Sequence, residues 1–108
     1  MAVEIHDNSK EISEDIKAVL LRGLEKCGLT AERFAKKLAP YDTGNLRNSI
    51  THEVDDGEPA VYIGTNVEYA PYQELGTINM DANPFLKPAV ADHANTYRKI
   101  IEKELKNG

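Results

Sequence analysis

Residues 50–64, with the sequence ITHEVDDGEPAVYIG, mark the place where the chain changes from helical to strand periodicity. Apolar and polar residues alternate on both sides of Asp56-Gly57, as they do in half-buried strands. Asp-Gly is a strong signal for a two-residue hairpin turn, because a type I′ turn needs positive φ at both central positions. The stretch therefore predicts a β-hairpin in which Ile50 lies opposite Ile63 and both side chains face the helices.

Before the hairpin, apolar residues recur in steps of three and four from Ser9 to Leu38, which predicts a long amphipathic helix. Ser9 is a suitable N-cap, and Pro40 ends the helix because a proline disfavours helical backbone in the residue before it. The apolar stripe keeps its phase across Gly28, so we expect one continuous or kinked helix. The alternative is a break at Gly28, with Thr30 capping a second helix.

After the hairpin, Pro84 and Pro88 bracket the start of another helix, whose apolar spacing continues to near the C-terminus. Residues 77–80 are a candidate third strand. The order of elements predicts the α+β class: a long N-terminal helix, a small antiparallel sheet with a β-hairpin, and a long C-terminal helix packed on the sheet. We expect residues 1–108 to form a single domain, with residues 1–8 flexible.

Charge is distributed unevenly along the chain. The formal net charge is −5, and residues 48–86 carry seven acids without any Lys or Arg, whereas residues 87–108 carry five bases and three acids. Nucleic-acid binding requires clustered Lys and Arg side chains that replace phosphate counterions, so this distribution of charge argues against nucleic-acid binding. The acidic segment is either a solvated sheet edge that discourages aggregation or a surface that attracts a basic partner.

Residue types that could support catalysis or metal binding are sparse. The three histidines, His6, His52 and His93, lack metal-motif spacing, and the single Cys27 can form neither a cysteine-rich zinc site nor an internal disulfide. His52 falls on the apolar face of the hairpin, and Cys27 falls on the apolar stripe of the first helix. Both positions favour core packing, and we expect no metal site, no cofactor and no catalytic residue.

The triplet Asp42-Thr43-Gly44 also occurs in aspartic proteases, in which two such aspartates share a proton. Here it follows a helix that ends in the Ala-Pro-Tyr of residues 39–41, and no supporting protease motif is present. We interpret the triplet as a turn in which Asp42 or Thr43 bonds nearby N–H groups and Gly44 supplies unusual backbone angles. An enzyme that uses Asp42 is the weakest functional hypothesis.

Tyr69 and Tyr72, together with Phe85, form an aromatic cluster with two interpretations. The three rings could fill the core, or the tyrosines could lie at an interface, where this residue type is enriched. Stacking of these rings on nucleic acid would need neighbouring Lys or Arg residues, which this segment lacks. A small-ligand or peptide-binding module built around the Tyr69–Tyr72 turn is an alternative function.

Three short strings follow one another in a fixed order: DTGNLRNSI at residues 42–50, YIGTNVEYAPYQELGT at residues 62–77 and PFLKPA at residues 84–89. Each string alone is a weak signal, but their ordered combination is specific. On these residues the chain resembles the phage head–tail joining (tail completion) family typified by gene product ten of a lambda-like siphophage. The positions that match the family pattern are Asp42, Thr43, Gly44, Leu46, Gly64, Tyr69, Ala70, Tyr72, Glu74, Gly76, Thr77, Pro84, Phe85 and Pro88.

The resemblance implies a structural protein of a phage or prophage neck that completes the tail or joins it to the head, without catalysis. The implied partners are copies of itself in a ring, which the resemblance implies is a hexamer, together with tail-tube and head-connector proteins. A neighbouring neck role, as stopper or tail terminator, is left open. The implied location is the bacterial host cytoplasm during assembly and then the virion neck, which agrees with the absence of a membrane-length apolar run or a signal-peptide pattern.

The charge pattern predicts how such copies would meet. The acidic middle segment of one copy is expected to face the basic C-terminal helix of the next, because opposite charges steer association. The candidate interface residues are Asp55, Asp56, Glu58, Glu68, Asp81, Lys87, Arg98 and Lys99.

Overall fold

The computed structural model describes residues 2–6, 14–39, 45–79 and 81–107. It has an α+β architecture, as the sequence predicts, with three antiparallel strands and five helices in the described residues. In chain order the elements are β1 (Ala2–His6), α1 (Glu14–Leu38), α2 (Asn45–Ser49), β2 (Thr51–Asp55), β3 (Ala60–Gly64), α3 (Ala70–Leu75), α4 (Leu86–Ala91) and α5 (Ala94–Asn107).

The long helix α1 runs without a break through Gly28, as the constant phase of its apolar stripe predicts. Its first turn carries acids and its last turn carries bases, so charge complements the helix dipole at both ends. The N-cap predicted at Ser9 lies outside the described residues, as does Pro40 beyond the other end.

The predicted hairpin is present in β2 and β3, but its loop is longer than the Asp-Gly signal indicates. Asp55 lies opposite Ala60, so the four residues 56–59 connect the strands. A two-residue turn would have placed Pro59 within the strand, where it cannot donate a ladder hydrogen bond. The longer loop keeps Pro59 outside the ladder, and the prediction of a two-residue turn was wrong for this reason.

The longer loop shifts the strand pairing by two positions from the predicted register. His52, and not Ile50, lies opposite Ile63. Because side chains alternate with a period of two, an even shift leaves each residue on its predicted face of the sheet. Ile50 and Ile63 are both buried, so the predicted assignment of faces is correct although the pairing is not.

A third strand, β1, pairs with the other edge of β3 and gives the order β1-β3-β2. Its register sets Ala2 opposite Gly64 and His6 opposite Ala60. The sequence predicts flexible residues 1–8 and a third strand at residues 77–80, whereas the structure has its strand at Ala2–His6 and a turn at residues 78–79. A five-residue edge strand is stabilised by its partner, so its local pattern carries little signal.

The C-terminal helical segment is interrupted after α4, where the Asp92 N–H donates to the Pro88 carbonyl at 3.0 Å. The His93 ring at this junction stacks on Phe34 of α1, with ring centroids 3.7 Å apart. The longer helix α5 then packs mainly against α1, and not on the sheet as predicted. The physical reason is that α1 itself covers β2 and β3, while α4 lies against α1 and β1.

Two glycines let α1 approach different neighbours. A Cβ built on Gly28 would lie 2.7 Å from His52 Cγ and 3.0 Å from Val61 Cγ2, both on the hairpin. A Cβ on Gly23 would lie 2.8 Å from Ile101 Cδ1, the far end of a flexible side chain on α5. Glycine is a poor helix former, but its lack of a Cβ lets α1 pack closely against the hairpin at Gly28 and against α5 at Gly23. The contact at Gly28 is the tighter of the two.

This difference predicts that alanine lowers stability more at position 28 than at position 23. Gly28→Ala should lower the free energy of unfolding by about 1–3 kcal/mol, because the ring of His52 and the backbone must move apart. Gly23→Ala should change it by less than about 1 kcal/mol, since Ile101 can rotate and alanine favours the helix. Urea unfolding of both variants tests this, and equal losses of stability would contradict the packing difference.

Candidate functional site

The side chain of Glu74 connects the second and third strings of the sequence. The residue is only 4 % exposed. The N–H groups of Phe85 and Leu86 each donate to its Oε1 at 2.9 Å, and the N–H of Lys87 donates to its Oε2 at 3.0 Å. These N–H groups belong to the start of α4, where a helix has no internal acceptors. Glu74 on α3 therefore caps α4 from outside that helix.

The chain between α3 and α4 is fixed at its base in two further ways. Gly76 has φ 80° and ψ 175°, a region that residues with a Cβ rarely enter, and its N–H donates to the Tyr72 carbonyl at 2.8 Å. The Asn83 N–H donates to the Gln73 carbonyl at 2.8 Å. The glutamate and the glycine of the second string thus serve loop geometry. Thr77 has a smaller part, since its hydroxyl accepts from the Asn79 N–H at 3.3 Å.

The charge pattern predicts that Glu74 lies on an acidic surface with the other six acids of residues 48–86. This prediction was wrong for Glu74, because its carboxylate lies inside the fold. Ala70 and Glu74 are four residues apart and share the buried face of α3, but the partners of Glu74 are 11 to 13 residues away, so the local sequence carries no signal of the cap. The other acids of the segment stay accessible. The candidate interface residues that are exposed are Asp56, Glu58, Glu68, Asp81, Lys87, Arg98 and Lys99, while Asp55 is half-buried.

The structure divides the predicted aromatic cluster. Phe85 is fully buried, whereas Tyr69 and Tyr72 are exposed. Tyr69, Tyr72 and Leu75 are spaced by three residues and so share one face of α3, and Ile78 follows in the next turn. We call these four exposed side chains the α3 patch. Its members are Tyr69, Tyr72, Leu75 and Ile78.

Part of the first string forms the junction between α2 and the sheet. Leu46 is buried, and the Ser49 hydroxyl donates to the Leu46 carbonyl at 2.6 Å and contacts the Thr65 hydroxyl. Thr65 directly follows Gly64, the last residue of β3, so the first and second strings meet here. The predicted turn at Asp42-Thr43-Gly44 lies outside the described residues. Of the third string, Pro84 is exposed before α4 and Pro88 lies within it.

A second accessible surface lies on α1, and the sequence motifs do not predict it. Leu29 is exposed and is one of the residues that line an open groove of about 460 Å³. The available signal is that Leu29 is out of phase with the apolar stripe of its helix. We call this surface the α1 groove. Its lining residues are Leu29, Glu32, Arg33, Lys36, Lys37 and Arg47.

His52 is held between two carboxylates of α1. Its Nε2 lies 2.6 Å from Glu25 Oε1, and its Nδ1 contacts the Glu32 carboxylate. Burial alone would lower the pKa of His52, but the hydrogen bonds and charges of Glu32 and Glu25 outweigh it and raise this pKa above 6.5. The predicted role of a satisfied, partly buried histidine is confirmed. Within the described ranges, no cluster of His, Cys, Asp or Glu is suited to hold a metal ion.

Cys27 lies in the core, as its place on the apolar stripe predicts. It is fully buried, and its Sγ lies 3.7 Å from the Tyr97 carbonyl oxygen. Burial raises the pKa of the Cys27 thiol to about 11, so the thiolate is scarce at neutral pH. The buried Tyr97 donates its hydroxyl to the Ala89 carbonyl and joins α5 to α4.

Comparison with known proteins gives a family match. Residues 4–76 match the family model described as "Bacteriophage HK97-gp10, putative tail-component". The matched residues include the first string and all of the second except Thr77, and they end before PFLKPA at residues 84–89. Searches of curated proteins and of solved structures found no match. Among the helices that the structure describes, none has the length and apolarity needed to cross a membrane.

Removal of the Glu74 carboxylate should be costly. We expect Glu74→Ala to lower the free energy of unfolding by about 3 kcal/mol, since buried N–H groups of α4 lose their acceptors. Glu74→Gln keeps one acceptor oxygen and should lose less. The exposed Glu68→Ala is the matched control and should change stability by less than about 0.5 kcal/mol. Equal thermal stability of Glu74→Ala and Glu68→Ala would show that the cap is unimportant.

The raised pKa of His52 predicts a pH-dependent stabilisation. A group whose pKa is higher in the folded state stabilises most below its unfolded pKa and loses that contribution as the pH rises through the folded value. His52→Gln should therefore reduce stability more at about pH 6 than at about pH 9. Glu25→Gln should weaken this pH dependence. Denaturant unfolding at both pH values measures it, and a larger loss at the higher pH would refute the role of the two carboxylates.

Proposed function

Because the chain belongs to the HK97-gp10-like family of phage tail components, we propose that it completes the tail at its head-proximal end and joins it to the head. Membership of the family makes the protein a structural component of a phage tail. The narrower role in the neck is our inference from the three strings and from the surfaces that they build.

The observation that carries this proposal is the use of the family-pattern residues as a scaffold. Glu74 commits both carboxylate oxygens to the backbone of α4, and Gly76 fixes the exit from α3. Leu46 and Phe85 fill the core. These residues hold surfaces in a fixed arrangement, which is what a joining protein needs, and we propose that the protein acts by shape and association without catalysis.

A ring of copies is the proposed assembly, with a hexamer on the tail as the expected form. Head-to-tail contacts that close by rotation generate such rings. The exposed acids Asp56, Glu58, Glu68 and Asp81 offer charge complementary to the basic C-terminal region that includes Lys87, Arg98 and Lys99. Such complementarity steers encounter and fixes register, so the contact should weaken as salt rises.

The molecule is elongated, with extents of 50 × 21 × 20 Å. Its two ends can therefore contact different proteins while its sides contact other copies. The proposed end partners are a tail-tube protein and a head-connector protein, met in the host cytoplasm during assembly and retained in the virion neck. The alternative, a module that binds a ligand or peptide at Tyr69 and Tyr72, rests only on the exposure of these two rings.

The proposal is tested by tails assembled with and without the protein. Tails that lack it should fail to join heads, and addition of the purified protein should restore joining. Sedimentation should show a monomer or weak association in the free protein, with less association at high salt. Asp42→Asn should still restore joining. Normal joining by tails without the protein would overturn the proposed role, and loss of joining by a stably folded Asp42→Asn variant would reopen an enzymatic one.

A further inference from the structure

The α3 patch exposes more apolar surface than scattered surface residues would. Leu75 is 71 % exposed and, by its spacing, shares the outward face of α3 with the exposed Tyr69 and Tyr72. Ile78, which is 103 % exposed, lies in the turn just after the helix. Single exposed apolar side chains are ordinary, whereas a group of large ones on one face marks an interaction site. Tyrosine is also enriched at protein interfaces, so this patch has the composition of a docking surface.

The surroundings of the α3 patch define the chemistry of its partner. Exposed Glu68 precedes the patch and exposed Asp81 follows it. Neither has a compensating base nearby in sequence, because residues 48–86 contain no Lys or Arg. The surface that fits should therefore combine an apolar centre with a basic rim.

The α1 groove has that combination. Leu29 is 55 % exposed, and the bases Arg33, Lys36 and Lys37 line the groove around it. The one acid of the lining, Glu32, already contacts His52 and lies 3.5 Å from the Lys36 ammonium. The lining of this open groove thus combines an exposed apolar side chain with basic residues, which complements an apolar helix face that has acids on both sides in sequence.

The basic C-terminal helix is a weaker partner for this patch. On α5 the acids Glu102 and Glu104 alternate with the bases. Glu104 is paired with Lys26 of α1, whereas Glu102 stays exposed among the bases of α5. Leu105 is exposed, but it lies between these charged residues near the end of the helix.

We propose that the α3 patch of one copy docks into the α1 groove of a second copy of this chain. The inference rests on the proposed ring assembly. It assigns Glu68 and Asp81 to the bases of the α1 groove and leaves the hairpin acids Asp56 and Glu58 for the basic C-terminal region. The two surfaces share no residue, so the contact is heterologous and leaves a free patch and a free groove at the ends of any open chain. Repetition by rotation closes the ring.

Cysteine cross-linking tests which surfaces meet. Leu75→Cys and Leu29→Cys place thiols in the patch and the groove, and mild oxidation traps even a weak complex. The native Cys27 is fully buried, with its pKa raised to about 11, so it should not compete. The matched control is Lys99→Cys on α5, which is also exposed. Thermal melts should first show that all three variants are folded.

The expected result is a disulfide-linked dimer when the Leu75→Cys and Leu29→Cys variants are mixed, in several-fold excess over either variant alone. A chain with both substitutions should form longer linked oligomers. Dimers of Leu75→Cys with itself would show a symmetric contact and overturn the proposal. If Leu75→Cys gave more dimer with Lys99→Cys than with Leu29→Cys, the patch would contact α5 and not the groove. If no folded mixture gave a dimer, the α3 patch would not bind a second copy of the chain.

A charge reversal provides an independent check. Arg33→Glu should lower the yield of the mixed disulfide several-fold, and Glu68→Lys in the partner should restore it, because the reversed pair attracts again. Failure of the rescue would contradict the rim contact. These results can be separated from the proposed function. If tails need the protein to join heads but no cross-link forms, only the docking mode is refuted. If the cross-link forms but tails join heads without the protein, only the neck role is refuted.

Discussion

The buried carboxylate of Glu74 is the interaction on which the arrangement of the second half of the chain depends. An ionised carboxylate loses its water when it is buried, which is unfavourable unless hydrogen bonds replace that water. The N–H groups of Phe85, Leu86 and Lys87 supply this replacement, and bonds to a charged acceptor are stronger than neutral ones. The same bonds satisfy the start of α4. Because α4 is short, its position is set from outside by α3, and the intervening loop is held between them.

The helix α1 provides the second constraint, because it packs against several elements. It contacts the hairpin through Gly28, α5 through Gly23, and the α4–α5 junction through the stacked rings of Phe34 and His93. These contacts lie on different sides of one helix, so the sheet and the C-terminal helices are fixed relative to each other. The polar groups of the core are used in a similar way: His52 bonds two carboxylates of α1, and Tyr97 bonds the backbone of α4. A frame built in this way can present its outer surfaces in constant geometry.

The features that the sequence could predict are those with a local physical cause. Helical phase across Gly28 indicates one continuous helix, and alternation on both sides of Asp56-Gly57 indicates a hairpin with the correct buried face. The sequence could not give the strand register, because Pro59 competes with the Asp-Gly signal and moves the turn. It also missed the edge strand Ala2–His6 and the cap at Glu74, since both depend on partners distant in sequence. A glutamate within an acidic segment resembles a surface residue until its acceptor role in the fold is known.

The central claim is that Glu74 holds the start of α4 in the folded protein, and amide hydrogen exchange measures this directly. In the intact protein, the amides of Phe85 and Leu86 should exchange slowly, with protection near that of the core strand β3, because each is buried and bonded to the carboxylate. The amide of Asn79, which lies in an exposed loop and donates only a long 3.3 Å bond to the Thr77 hydroxyl, provides the reference for weak protection. Slow exchange at Phe85 and Leu86 is expected if Glu74 caps α4. Exchange at the rate of Asn79 would mean that the cap opens freely and does not hold the helix start.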